Sequence, residues 1–358
     1  MVLNLFFMDK QQKANRKRAG INFREEARNK YLRRDNGKRD NLEKPLHSFH
    51  GHCLCNLYVP TEARLNVVKL HEKIDVVMCT YNSNKPYFHA VLQRILEEVP
   101  VHCFIVVDRF SSDGTVGKVL EIFPKAKVVV SQENLGRARK LGIDIVDTPF
   151  FAFIDDDVLL LKGWYEHTKG LMGNSIGAVA CIAKLKTPLI RKVYKYAERT
   201  HYATRTRLVV SSKNNMDSQR GFTYATLMRK EACATWEPDG KLAACEDHEI
   251  LRHVVRRGFL WLTSYFVFAE HLQSDQSHLT FFWDVWRKTA WNIAGCRYTG
   301  LVKFNLGQLI FAILVKFWSG IKISFLSRDA LIFPYYYVNG LAFLYGYVCW
   351  KKKLFLRR

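Results

Sequence analysis

The chain has 358 residues, enough for one large α/β domain with extensions. Lys and Arg outnumber Asp and Glu by 55 to 33, a net charge of +22 that favours a polyanionic partner such as nucleic acid, an anionic membrane face or a phosphorylated substrate. The nine cysteines are scattered, with only Cys53 and Cys55 close together, which argues against a disulfide framework and for a reducing compartment.

The first eight residues are apolar but lack a basic flank, so they are not expected to act as a signal peptide. Residues 10–44 hold thirteen basic and five acidic side chains. Such a stretch reads as a solvated tail, or as a segment drawn to anionic lipid or nucleic acid. His50, His52, Cys53 and Cys55 lack a second ligand pair at zinc-finger spacing. Residues 1–73 are therefore expected to form a basic extension and connector.

From residue 74 strands and helices alternate. Strands are expected over 74–79, 101–107, 127–130 and 150–154. Helices are expected over 86–99, with Ser83 or Asn84 as cap and Pro86 in the first turn, and over 115–123 and 136–146. This alternation predicts an α/β fold: a doubly wound, mainly parallel sheet with helices on both faces. Ligands in such sheets bind at the carboxyl ends of the strands. The polar residues fall there: Thr80, Tyr81 and Asn82 after the first strand, Asp108 after the second, and Asp155, Asp156 and Asp157 after the fourth. The absence of Gly-x-Gly-x-x-Gly argues against a dinucleotide site.

The aspartate triplet follows the run Phe150-Phe151-Ala152-Phe153-Ile154, which reads as a strand buried on both faces. Three carboxylates there repel one another and are costly to desolvate. A hard divalent cation, Mg²⁺ or Mn²⁺, resolves the conflict; the plainer alternative is an acidic turn with Asp157 capping a helix. Further on, Glu246 and Asp247 open a helix whose apolar stripe is Ile250, Leu251, Val254 and Val255. His271 follows an apolar strand over 261–268. Residues 304–326 and 330–350 are two apolar stretches joined by a short turn at Ser327, Arg328 and Asp329. The second is uncharged and long enough to span a bilayer, and basic residues follow it. In the first, Lys316 and Lys322 are expected to snorkel toward an interface. A pair of buried helices packed on the rest of the chain is the alternative.

Taken in order, Thr80-Tyr81-Asn82, the run 107–115 with Asp108 and Asp113-Gly114, the run 133–142, Asp155-Asp156-Asp157 and Glu246-Asp247 resemble glycosyltransferase family 2. The resemblance covers about 74–271 and implies the GT-A fold. It departs from the family pattern at Arg109, where a second acidic or amide residue is usual, and at Cys79, where proline is usual.

The resemblance implies an inverting, metal-dependent glycosyltransferase acting on a nucleotide-sugar donor. It implies Asp247 as general base and Asp157 as metal ligand, with His271 completing the metal site. Asp155 and Asp156 are expected to reach the ribose or a metal-bound water, and Asp108 the base or ribose. Thr80, Tyr81 and Asn82 line that pocket, and Gly163-Trp164 packs near the donor sugar. Arg139 and Lys140 are expected near the phosphates, or else on a solvated helix face. Expected domains are 1–73, 74–275 for the GT-A domain, and 276–358 for a membrane-associated helical region. The expected acceptor is a glycan or lipid-linked molecule at the cell membrane, with the catalytic domain on the cytoplasmic face and no nucleic-acid partner. Two other classes remain open: a nucleotidyltransferase on a similar scaffold, and a basic nucleic-acid-binding protein, whose affinity would fall steeply with salt.

Overall fold

The computed structural model describes residues 73–185, 189, 193, 208–219, 221–240, 242, 244–272, 278–300 and 305–351. The basic segment 10–44, the cluster 50–55 and the basic end 352–358 lie outside the described residues.

Four strands, β1 (Ile74–Thr80), β2 (Val101–Asp108), β3 (Lys127–Val130) and β4 (Phe150–Ile154), alternate with helices α1 (Phe88–Glu98), α2 (Thr115–Ile122) and α3 (Leu135–Ile145). After β4 come β5 (Val158–Leu160), α4 (Trp164–Leu171), β6 (Ile176–Leu185), β7 (Leu208–Ser211), β8 (Ala225–Arg229), the single turn α5 (Lys230–Cys233), α6 (Glu246–Arg256) and β9 (Leu260–His271). The strands form one nine-stranded sheet in the order β3-β2-β1-β4-β8-β6-β9-β5, with β7 beside β9. Strands β1, β2, β3, β4, β6 and β9 run one way; β5, β7 and β8 run against them.

The alternation of side chains along β1 explains the layers. Ile74, Val76 and Met78 pack with Phe88, Leu92 and Ile95 of α1 and with Trp164. Val77 faces the other way, toward Ile143 of α3 and Ile250, Leu251 and Val254 of α6. The sheet is thus covered on both faces, as its near-continuous apolar strands require. Helix α3 approaches β1 so closely that a Cβ on Gly142 would lie 2.3 Å from Val77 Cγ1.

Three longer helices follow: α7 (His278–Tyr298), α8 (Leu306–Ser327) and α9 (Ile332–Lys351). The expected hairpin is present as α8 and α9, turning at Arg328 in the left-handed region (φ 53). Helix α9 also packs on α7, and Gly346 permits this, since a Cβ there would lie 2.4 Å from Ala290 O. Two expectations are corrected. Among the described residues the helix long and apolar enough to cross a membrane is α8, not the uncharged stretch of α9. Helix α9 packs against both neighbours and still exposes Phe333, Tyr337, Leu344, Tyr345 and Val348. Lys316 does not snorkel: it is 4% exposed and donates to Asn339 Oδ1, whose amide donates in turn to Thr289 Oγ1 at 2.9 Å. A polar partner on the facing helix satisfies the ammonium inside the bundle.

Candidate active site

The carboxyl ends of β1, β2 and β4 converge. Thr80 and Asp108 are paired in the β1–β2 register, and Thr80 Oγ1 donates to Asp108 Oδ1 at 2.7 Å. Asp108 is 1% exposed and also accepts from Ser111 N–H at 2.8 Å and Ser111 Oγ at 2.6 Å. Its carboxylate therefore locks the turn after β2 against the turn after β1. Asn82, in the left-handed region (φ 49), donates its N–H to Ser111 Oγ at 2.7 Å and accepts from Ser112 N–H at 3.0 Å. Tyr81 is left 62% exposed, with the Arg109 guanidinium 5.8 Å from its ring centroid.

Ser83 and Asn84 do not cap α1, whose N-cap is Tyr87 with no side-chain bond. Ser83 Oγ donates to Asp156 Oδ2, and Asn84 N–H donates to Asp113 Oδ2 at 2.9 Å. Ser83 is thus a site residue that its spacing disguised as a cap. Gly163 begins α4 in the left-handed region (φ 89), and Trp164 is buried in the core.

The aspartate triplet sits where β4 ends. Asp157 precedes strand β5, not a helix, and its carbonyl accepts from Leu272 N–H at 2.6 Å, so helix capping is excluded for it. The three carboxyls differ in their neighbours. Asp155 accepts from Arg139 at 2.9 Å. Asp156 is pushed up to about 7 by burial and by Asp157, against the Ser83 hydrogen bond. Asp157 is likewise pushed up to about 7 by burial and then by Asp155. His271 ends β9 and is not beyond it, and pairs in register with Val158, next to Asp157. Its Nδ1 lies 3.4 Å from Asp157 Oδ2 without a well-formed hydrogen bond. Tyr87 also belongs here: burial first, then Asp157 and Asp156, push its phenol up to about 12.

Arg139 joins this end to α6. It is 3% exposed; one guanidinium nitrogen reaches Asp155 Oδ1 at 2.9 Å and the other Glu246 Oε1 at 2.5 Å. Both ends of the fork are taken by carboxylates, which hold it charged despite burial. Burial pushes the Glu246 carboxyl up, opposed by Arg139 and aided by Asp247. Lys140 points elsewhere, to Asp144 at 2.6 Å and Glu237 at 3.5 Å. Helix α6 starts at Cys245, a left-handed residue (φ 76) with no side-chain cap. Glu246 and Asp247 therefore stand in the first turn, where the helix dipole favours ionised carboxylates. Asp247 is 7% exposed.

The arrangement suits a divalent cation. Two carboxyls whose ionisation burial opposes, and an imidazole nitrogen beside one of them, are the oxygen and nitrogen donors such an ion takes. Among the described residues no group of three or more His, Cys, Asp or Glu side chains is arranged to hold an ion unaided.

Residues 75–233 match the profile of the family described as Glycosyl transferase family 2. The chain carries a family 2 glycosyltransferase domain. A Drosophila melanogaster protein bearing the name polypeptide N-acetylgalactosaminyltransferase 9 is 26% identical over 118 residues, 30% of this chain. The match spans only 18% of that relative's length. The structure of the mannosyltransferase PcManGT from Pyrobaculum calidifontis, in complex with GDP-Man and Mn²⁺, superposes with a TM-score of 0.54. That alignment covers 81% of this chain and 90% of the other at 12% identity, a likeness of fold. The glycosyltransferase domain thus adopts the mostly parallel GT-A sheet, flanked by helices, that the resemblance implied.

Proposed function

We propose that this protein is an inverting glycosyltransferase that uses a divalent metal and a nucleotide-sugar donor. The observation that carries the reading is the Arg139 bridge. One buried guanidinium ties Asp155, at the end of β4, to Glu246, beside Asp247 at the start of α6. Two motifs far apart in sequence thereby share one site. A nucleotidyltransferase would need the carboxylate cluster but gives no role to a second acidic pair held rigidly beside it.

In this reading residues 74–275 form the catalytic domain. The turns locked by Asp108, with Tyr81 and Asn82, form the nucleotide pocket. Asp157 and His271 would hold the cation, whose charge would offset that building on the diphosphate leaving group. Asp155 and Asp156 would reach the ribose or a water on the cation. Asp247 accepts the proton of the acceptor hydroxyl as its oxygen bonds to the anomeric carbon. The bond from that carbon to the diphosphate breaks on the opposite face, so configuration inverts. Arg139 positions the carboxylates, and Lys140, engaged by Asp144 and Glu237, has no role in this reading.

The exposed apolar face of α8 supports a membrane setting, with Leu314, Trp318 and Phe325 among its exposed residues. A lipid-linked acceptor follows, with the catalytic domain on the cytoplasmic face where the basic ends favour anionic lipid.

The test uses detergent-solubilised protein screened against nucleotide-sugars with Mg²⁺ or Mn²⁺. Asp247→Asn keeps the shape and loses the base, so turnover should fall about 10²–10⁴-fold while donor binding survives. Asp157→Ala, or EDTA on the parent, should abolish transfer. Normal turnover in Asp247→Asn, or a product of retained configuration, overturns the mechanism; activity in EDTA overturns the metal.

A further inference from the structure

Helix α7 was invisible as a functional element in the sequence, yet one of its faces lies on the active site. Cys245, which starts α6, places its Sγ 3.5 Å from the Asn292 carbonyl and 3.2 Å from Cys296 Sγ. The approach is tight: a Cβ on Gly295 would lie 2.6 Å from Ala244 O. The two residues after Cys245 are Glu246 and Asp247. Asn292 and Cys296 are four residues apart and share a helix face. Lys288 is four residues before Asn292 on the same face, about 6 Å further along the axis. The next residue, Thr289, accepts from Asn339 of α9, which fixes the rotation of the helix.

Lys288 lies one turn along α7 from the α6 contact, close enough to Asp157 and His271 for its charge to act on both. Its neighbour Arg287 is committed to Asp284 at 3.2 Å and to the Trp291 ring. Lys288 is exposed, and no ion pair takes its ammonium among the described residues. A solvated cation near a metal-type carboxylate is placed to meet an anion that enters from solvent. Lysine serves phosphate as a point charge on a flexible stem, with no fixed geometry to satisfy.

We propose that Lys288 binds a phosphate group in the transfer site, either the donor's diphosphate or the phosphate of a lipid-linked acceptor. This rests on the glycosyltransferase reading above and adds α7 to its binding machinery.

The experiment compares full-length parent, Lys288→Gln and Lys288→Arg in detergent with Mn²⁺. Binding is measured for UDP and GDP, and separately for a short-chain polyprenyl phosphate. Melting temperature serves as control, since an exposed lysine should not move it. Lys288→Gln should weaken one class of probe at least tenfold, and Lys288→Arg should stay within a few-fold of the parent. A loss confined to UDP or GDP assigns the donor diphosphate; a loss confined to polyprenyl phosphate assigns the acceptor; a loss of both assigns a shared contact. Equal binding by parent and Lys288→Gln, or a loss in Lys288→Arg as large as in Lys288→Gln, overturns the proposal alone. A parent that binds none of the probes overturns the glycosyltransferase reading together with it.

Discussion

Arg139 shows what a single residue type conceals in a sequence. A cation in the run 133–142 was legible as a charge near the site, and two roles were open to it, phosphate contact or solvated face. The structure gives it a third, because its partners lie 16 and 107 residues away in the chain and local pattern carries no record of them. The buried bridge has a thermodynamic consequence. Removing the guanidinium leaves Asp155 and Glu246 facing one another in a poorly solvated space, and loss of one partner from a buried pair costs about 3–5 kcal/mol. Arg139→Met should lower the denaturation midpoint by that order, whereas a neutral swap would mark the bridge as dispensable to folding. Glu249 supplies a second test, through pH. Burial is the largest influence, and it pushes this carboxyl up to about 7 from the ordinary 4.5. The folded state therefore holds the proton more tightly than the unfolded chain, so the group favours folding at acidic pH and loses that contribution as pH rises from 4.5 through 7. Glu249→Gln should melt above the parent at pH 8, with the gap closing by pH 4.5. A gap independent of pH would assign the effect to packing and not to charge.

At the level of elements, β1 to β4 with α1 to α3, the helix opened by Glu246 and most of β9 were readable, and the short reversed strands were not. Strands β1 to β4 and helices α1 to α3 fall within a residue or two of their expected bounds, because each couples a long apolar run to a clear turn or cap; Asn134 caps α3 by accepting from Arg137 N–H at 3.0 Å. Strands β5, β7 and β8 have 3, 4 and 5 residues. They run against the majority, and runs so short lack a periodicity that separates strand from loop. Helix α7 was hidden for a different reason. Its apolar positions are interrupted by Asp284, Arg287, Lys288 and Arg297, so no uncharged run announces it. The capping misassignment of Ser83 belongs here too, since a serine before a helix and a serine on a carboxylate look alike in sequence. The closest contact between layers, α3 against β1, yields its own prediction. Gly142→Val forces side-chain atoms into Val77, and overpacking of this kind costs typically about 1–3 kcal/mol. Gly142→Ala should cost less. Equal stability of parent and Gly142→Val would mean that α3 can slide away from the sheet, which the Arg139 bridge at the same helix argues against.

For the whole molecule, the question is what covers α8. Its inner residues Leu309, Ala312, Lys316, Gly320 and Ile323 are buried. Ile310, Phe311, Leu314, Trp318, Ile321 and Phe325 are exposed, an apolar surface on the same helix. Large exposed apolar patches mark interaction or membrane surfaces; Lys322 is also exposed on this helix, while Lys316 is held by Asn339 on the inner face. In the proposed membrane setting this outer face meets lipid. Sequence reading expected both stretches to meet the membrane, with the uncharged one long enough to span; the structure instead makes α8 the helix long and apolar enough to cross, because an uncharged run and a strongly apolar helix are different properties. The outer face can be altered without disturbing the inner one. Replacing Phe311, Leu314, Trp318 and Phe325 by serine removes surfaces worth about 1.5–3 kcal/mol each when buried, so affinity for a bilayer should drop by several orders of magnitude. Full-length parent should co-sediment with vesicles of mixed neutral and anionic lipid, and the fourfold variant should remain largely in the supernatant with an unchanged fold by circular dichroism. A parent that stays soluble without detergent and ignores vesicles would remove the membrane from the proposal, and with it the lipid-linked acceptor, leaving soluble glycans or proteins as the molecules that receive the sugar.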